Sequence, residues 1–396
     1  MSTNGRSTET AAPVRVSTLE LFFDLVFVFT VTQLGDVLVH HLDAVGVARV
    51  LLMLALIWWM YSGYAWLTNA VAPSSTTRRT LLLTGMAGFL VIALAIPDAF
   101  GASGWAFGGA YLVVNLVHTV LFLRAENINA VRAMRTLGPL NLTSALLVMV
   151  GGLVPGPGRY ALFLAAVVLQ TVTPYLHQLE WHSVSAGHFT ERHGLVVIIA
   201  IGESIIAIGL GFAGLAVDAN VITIAMLGLC IAYYLWWAYF SGDEARAERV
   251  LATTRDPGRR TRLALWGWGY AHYPMVLGII VLSVGVKKTV GHPFEPLGWG
   301  PAVALGAGVA LFLLGHAWFL RVLGLPGVWH RLAAGAAVLA AIPLGHVLAV
   351  AQLAVTPVAM AVPLIVEDIT RLRRSGRRDT AIHTFGRTEA HPPEVG

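Results

Sequence analysis

The chain has 396 residues, 57% hydrophobic and only 12% charged, with a mean hydropathy of +0.72. These values exclude a soluble globular protein and define a polytopic membrane protein. The formal charge of +5 does not point to nucleic acid, because the basic residues sit at the ends of apolar runs and in the C-terminal tail, where membrane topology accounts for them.

The first 17 residues are polar and rich in Ser and Thr. They contain no separate apolar segment followed by a small-residue cleavage site, so no cleaved signal peptide is expected and the first span inserts by itself. Apolar runs long enough to cross a bilayer then follow at 18–40, 46–68, 79–97, 104–124, 132–154, 159–178, 189–212, 219–241, 262–286, 299–320, 331–350 and 353–370. The division between the last two rests on Gln352, so eleven spans compete with twelve. The expected architecture is an all-α polytopic membrane protein of about twelve transmembrane helices. Assigning segments alternately to the two sides places 22 of the 26 Lys and Arg residues on the side of the N-terminus. By the positive-inside rule both termini are then cytoplasmic, and the count is twelve. The single cysteine, Cys230, lies within an apolar run and allows no disulfide within the chain.

Two stretches superpose at an offset of 170: LFFDLVFVFTVTQL at 21–34 and ERHGLVVIIAIGES at 191–204, which sets Gln33 against Glu203. IWWMY (57–61) then matches LWWAY (235–239), and HTVLFLR (118–124) resembles HAWFLR (316–321). Three ordered matches predict two tandem six-helix repeats, which run parallel because six is even. The expected divisions are a cytoplasmic tail at 1–17, repeats at 18–178 and 189–370, a linker at 179–188 and a basic cytoplasmic tail at 371–396. Arg371, Arg373, Arg374, Arg377 and Arg378 would face an anionic leaflet, and His391-Pro392-Pro393 argues against a stable helix beyond them.

Glu203 is the residue that most needs explaining, since it sits deep in the apolar seventh span. An ionised side chain there costs at least ~3 kcal/mol, so it must face the protein interior, find a partner or hold its proton. Gly202, Gly209 and Gly211 are expected to let a neighbouring helix approach. In the first span, Glu20 and Asp24 share a face, with Glu20 capping the helix after Ser17, and Thr32, Gln33, Asp36 and His40 form a second stripe. Tyr111, Asn115 and His118 in the fourth span and Gln170, Thr173 and His177 in the sixth make further stripes. His272, His316 and His346 stand singly, and together these groups suggest a wet interior.

The segment HQLEWHSVSAGHFTERH gathers His177, His182, His188 and His193 with Glu180 and Glu191. Its spacing matches no specific metal motif, and no metal is expected. Ser204 follows Glu203 but forms no nucleophile elbow. With no Walker A, dinucleotide fingerprint or zinc-finger spacing, neither cofactor nor enzymatic activity is expected. The partners expected are the lipid bilayer and a small solute or ion whose identity the sequence leaves open; nucleic acid is not among them, and an oligomer is compatible with the reading.

LELFFDLVFVFTVTQL, WWMYSGYAWLTN (58–69), HFTERHGLVVIIAIGESI (188–205), WWAYF (236–240) and HYPMVLG (272–278) closely resemble the bacterial low temperature requirement A family over about residues 16 to 370. The resemblance implies an integral membrane protein linked to growth in the cold. Its motif residues fall at Glu20, Asp24, Trp58, Trp59, Asn69, His188, Glu191, Arg192, Gly194, Gly202, Glu203, Trp236, Trp237 and His272. FFDLVFVFTVTQL also resembles the opening helix of potassium channels with an Arg-to-Phe-Ser-Asp motif, although Phe23 stands where that motif has serine. The function expected is a secondary carrier in the cell membrane, coupled to protons or cations through Glu203, with Asp24 and Glu191 completing a path to the cytoplasm. A cation channel on the first and seventh spans, or a sensor or accessory protein for growth in the cold, are the alternatives.

Overall fold

The computed structural model describes residues 16–71, 75–176, 184–212, 214 and 216–385. Among these residues all regular structure is helical: α1 (Thr18–His40), α2 (Ala44–Ala70), α3 (Thr76–Ala95), α4 (Gly104–Leu123), α5 (Ile128–Leu153), α6 (Pro157–Leu176), α7 (Ala186–Gly211), α8 (Ala219–Phe240), α9 (Asp243–Thr253), α10 (Pro257–Ala264), α11 (His272–Gly291), α12 (Trp299–Leu323), α13 (Val328–Ala340), α14 (Ile342–Val347) and α15 (Ala349–Phe385). A π-helical segment, Leu265–Tyr270, joins α10 to α11.

These elements make twelve long rods, because α8 leads into α9, α10 runs through the π segment into α11, and α13 pairs with α14. Eleven rods are long and apolar enough to cross a membrane; the twelfth is α6, whose described part carries Arg159 and Pro174. Large apolar side chains such as Leu94, Trp105, Leu153, Leu210 and Val358 are exposed on the outside of the bundle. In water such a surface would associate, so its solvent is the bilayer.

Local chemistry sets where the rods begin. Ser17, Asp43, Ser75, Asn127, Asp218 and Asp256 each accept a backbone N–H from the first turn that follows them. Gly242, in the left-handed region at φ 99°, interrupts the helix between α8 and α9. α11 and α12 pack closely, because glycines stand where they meet: a Cβ on Gly278 would stand 2.6 Å from the Gly308 carbonyl oxygen.

Several boundaries differ from the expected ones. The break near the C-terminus falls at Leu348, which is extended at φ −158°, and Gln352 lies inside α15 with Nε2 donating to the Ala302 carbonyl at 2.8 Å. A buried amide bonded across to α12 stabilises a helix interior and need not end one. The eighth span is followed by the amphipathic helix α9, and α15 continues through the start of the expected tail to Phe385. Arg371 is drawn back to Asp243 and Glu367 instead of facing outward.

Helix neighbours are ordered alike in the two halves. In the first, α1 packs on α2 and α3, α3 on α4, α4 on α5, α5 on α6, and α2 on α4 and α6. In the second, α7 packs on α8 and α11, α11 on α12, α12 on α13, α13 on α15, and α8 on α12 and α15. The halves meet where α1 and α2 lie against α7 and α11.

Candidate functional site: two buried charge clusters and an isolated acid

The α1–α7 seam begins with Glu20. Its carboxylate closes the capping box with Ser17 and also lies 3.0 Å from His188 Nε2. Asn69 on α2 holds that histidine and the start of α7 together: its Nδ2 donates to the Ser185 carbonyl at 3.1 Å and its Oδ1 accepts the Ser185 N–H at 3.0 Å. One turn deeper, Asp24 lies 3.0 Å from Arg192 Nη2, and both residues have no exposure to solvent. The Tyr61 hydroxyl donates to Asp24 Oδ1 at 3.0 Å. The guanidinium stacks over Phe23 and Tyr61 at 5.7 and 5.8 Å from their ring centres, which offsets part of the cost of burying it. Trp58 Nε1 donates to the Gly269 carbonyl of the π segment, and His272 Nδ1 donates to Gly267 there at 2.9 Å. The π turn supplies these two carbonyls to side chains.

A Cβ on Gly194 would stand 2.6 Å from Glu244 Oε1 on α9, the end of a flexible side chain that could shift. Gly202 and Gly209 do not serve close helix approach as expected: a Cβ on either meets nothing within 4 Å, because neither faces a neighbouring helix, whereas one on Gly211 would press on Val290 at 2.9 Å. Glu191 is exposed, accepting the Val16 N–H at 3.4 Å, and so stands apart from the buried Asp24. His188, Glu191 and His193 diverge, for His193 Nδ1 donates to the Phe189 carbonyl. His177, Glu180 and His182 lie outside the described residues.

Farther along α1 the seam holds Glu203, which is 6% exposed and accepts the Thr32 hydroxyl at 2.8 Å. Thr32 precedes Gln33, the position that the sequence match sets against Glu203; Gln33 is half-buried. Beyond it, Asp36 pairs with Lys287 at 3.5 Å and with His40 at 3.7 Å, half-exposed. The other buried carboxylates, Glu20, Asp24, Asp243 and Glu367, each lie against a cation or histidine. Among the described residues, Glu203 has a hydroxyl and no ion pair.

The second cluster escaped the sequence reading. Asp243, the first residue of α9 and fully buried, lies 2.8 Å from Arg331 Nη2 and 3.5 Å from His316 Nε2. Arg331 Nε donates to His316 Nδ1 at 3.1 Å, and Arg331 also pairs with Glu367, which in turn pairs with Arg371. The Tyr239 hydroxyl donates to His272 Nε2 at 2.8 Å. Rings of His193 and His272 lie 5.5 Å apart, and Tyr61 and His193 6.5 Å, so an aromatic row joins the two clusters. The only trace in the sequence was ionisable residues at span ends, which read equally well as topology signals. Trp237 Nε1 donates to Asp368 at 3.0 Å beside it, whereas Trp236 is more than a third exposed.

The polar stripes of α4 and α6 bond to each other and to backbone, while Asn115 Oδ1, His118 Nδ1 and Gln170 Oε1 keep no protein partner among the described residues. Gln170 Nε2 donates to the Tyr111 hydroxyl, Asn115 Nδ2 to the Tyr111 carbonyl, and His118 Nε2 to the Gly63 carbonyl at 3.1 Å. Thr173 bonds back to Leu169, and His346 is exposed and stacked on Trp299.

A helical bundle with eleven rods long and apolar enough to cross a membrane, and with ion pairs buried between them, is a multi-pass integral membrane protein. Residues 15–366 match the family model described as bacterial low temperature requirement A protein (LtrA), and the chain belongs to that family. It is also 29% identical over 328 residues to an uncharacterized protein of Rhizobium meliloti (strain 1021), covering 79% of each chain. No solved structure matches it.

Proposed function

We propose that the chain is a proton-coupled secondary carrier, built as two parallel six-helix repeats, with Glu203 as the residue that takes up and releases the proton. The observation that carries this reading is that, among the described residues, Glu203 forms no ion pair; Lys287, which pairs with Asp36, is the cation whose field reaches it. Bonded among the described residues to the Thr32 hydroxyl in the seam between the halves, it can change protonation without breaking an ion pair, which Asp24 and Asp243 cannot do. Support for the repeats comes from matched neighbours and residues: Tyr61 and Tyr239 occupy corresponding places in the aligned motifs and are both buried.

The orientation we infer has both termini in the cytoplasm. Asp24–Arg192 and Asp243–Arg331 then lie toward that side, and Asp36–Lys287 lies toward the other, half-exposed side of the same seam. In this arrangement the buried ion pairs close the cytoplasmic end while Glu203 is reached from outside, and transport requires the pairs to open in turn. Liposomes carrying an internal pH-sensitive dye test the proposal. Saturable, pH-gradient-dependent exchange in the wild-type chain and its loss in Glu203→Gln are expected. Single-channel currents would instead identify a pore.

A further inference from the structure

A pocket of about 170 Å³ lies where the turn between α3 and α4 meets the end of α1 and the start of α2, at the end of the bundle away from the start of α1. It is smaller than the roughly 300–1,000 Å³ of most small-molecule sites, so its occupant has few non-hydrogen atoms. Its wall is predominantly polar and includes Arg49, Asp98 and His41. Asp98 and His41 are exposed and Arg49 is half-buried, so the pocket opens to water rather than to lipid.

Arg49 is held in one pose without its charge being matched. Its Nε donates to the Tyr160 hydroxyl at 2.7 Å, and its guanidinium lies over the Phe100 ring, 5.4 Å from the ring centre. The Phe100 and Tyr160 rings are themselves 4.5 Å apart. Among the described residues the two terminal nitrogens of Arg49 form no hydrogen bond, and no carboxylate pairs with it. Asp98 is anchored separately: its Oδ2 accepts the Ser103 N–H at 3.1 Å, and a Cβ on Gly101 would collide with its Oδ1. Behind the turn, the buried Arg159 donates from Nη1 to the Ala99 and Gly101 carbonyls at 3.0 and 2.8 Å, which fixes the backbone of this wall. Two opposite charges thus line one small pocket, and neither reaches ion-pairing distance of the other.

A guanidinium offers parallel N–H groups to a carboxylate, and a carboxylate attracts an ammonium. A ligand with a single charge is drawn to one of these groups and repelled by the other, whereas a ligand carrying both charges is complementary to both. We propose that the pocket binds a small zwitterionic solute of the α-amino acid class, with its carboxylate on Arg49 and its ammonium on Asp98. This binding goes beyond the carrier reading and stands whether or not Glu203 couples to protons.

The test titrates the full chain in maltoside detergent, which has no charged headgroup, with alanine, propionate and ethylamine, and reads bound solute by saturation-transfer NMR. Saturable binding of alanine is expected, at least about tenfold tighter than that of either single-charge analogue. Asp98→Asn is an exposed change that keeps the acceptor for Ser103; it should weaken alanine about tenfold and leave propionate no weaker, whereas Arg49→Gln should weaken both. Propionate bound as tightly as alanine would reduce the pocket to a simple anion site and overturn the proposal. Alanine binding that survives Arg49→Gln, or no saturable signal at all, would likewise overturn it and leave two solvated charges. Nanodiscs of phosphatidylglycerol with and without phosphatidylethanolamine separate a free solute from a lipid headgroup of similar chemistry. Equal alanine affinity in both is expected, and its loss in the ethanolamine lipid would overturn the solute in favour of the headgroup.

Discussion

Asp24 and Arg192 face each other at 3.0 Å across the α1–α7 seam, neither exposed to solvent. A pair buried this deeply adds little net stability over an apolar substitute, yet removing one partner strands the other charge. Asp24→Ala should therefore destabilise the protein by about 3–5 kcal/mol. Asp24→Ala combined with Arg192→Leu should recover much of that loss. Thermal unfolding of the purified variants in detergent checks both. A single variant as stable as wild type would mean that Arg192 finds another partner.

Arg331 contacts Asp243, Glu367, His316 and the Ala238 carbonyl at once. Arg331→Leu leaves two buried acids without their main cation, with only Arg371 and Arg246 nearby. We expect poor accumulation of this variant in the membrane and a lower unfolding temperature, with Arg331→Lys intermediate because the compact ammonium cannot span the same set of acceptors. Equal accumulation of all three would show that the cluster is dispensable for folding.

Glu203→Gln keeps the side-chain shape and the bond from Thr32 while removing the ionisable group. The variant should fold and insert as wild type and lose pH-dependent exchange between pH values of about 5 and 8, bracketing the range in which proton coupling operates. Gln33→Glu adds a second acid beside Thr32 and should reduce accumulation. Full exchange by Glu203→Gln would make the residue a structural hydrogen-bonding group and end the proton-coupled reading.

The inferred orientation predicts that alkaline phosphatase fused after Arg378 is inactive and that the same reporter placed in the turn between α1 and α2, near Asp43, is active. The reverse pattern would invert the bundle and place the Asp24 and Asp243 clusters on the outside.

The sequence by itself determined the membrane class, the number of long rods and the family. Those follow from the total apolar content, from runs of bilayer length and from contiguous motifs, all of which are local quantities. It also marked Glu20, Asp24, His188 and Arg192 as special, though not that Glu20 meets His188 and Asp24 meets Arg192, because pairing across 168 positions is set by how α1 lies on α7. The tertiary structure alone decided the fate of residues whose local sequence is ambiguous. Glu191 and Arg192 are adjacent, yet one is exposed and the other wholly buried. Arg371 reads as a tail cation and turns inward to Asp243 and Glu367, because the desolvated acids there attract it more strongly than a screened surface does. Gly202 and Gly209 read as packing residues and face open space, since which side of a helix meets a neighbour depends on its rotation in the bundle, which hydrophobicity on every face leaves unspecified.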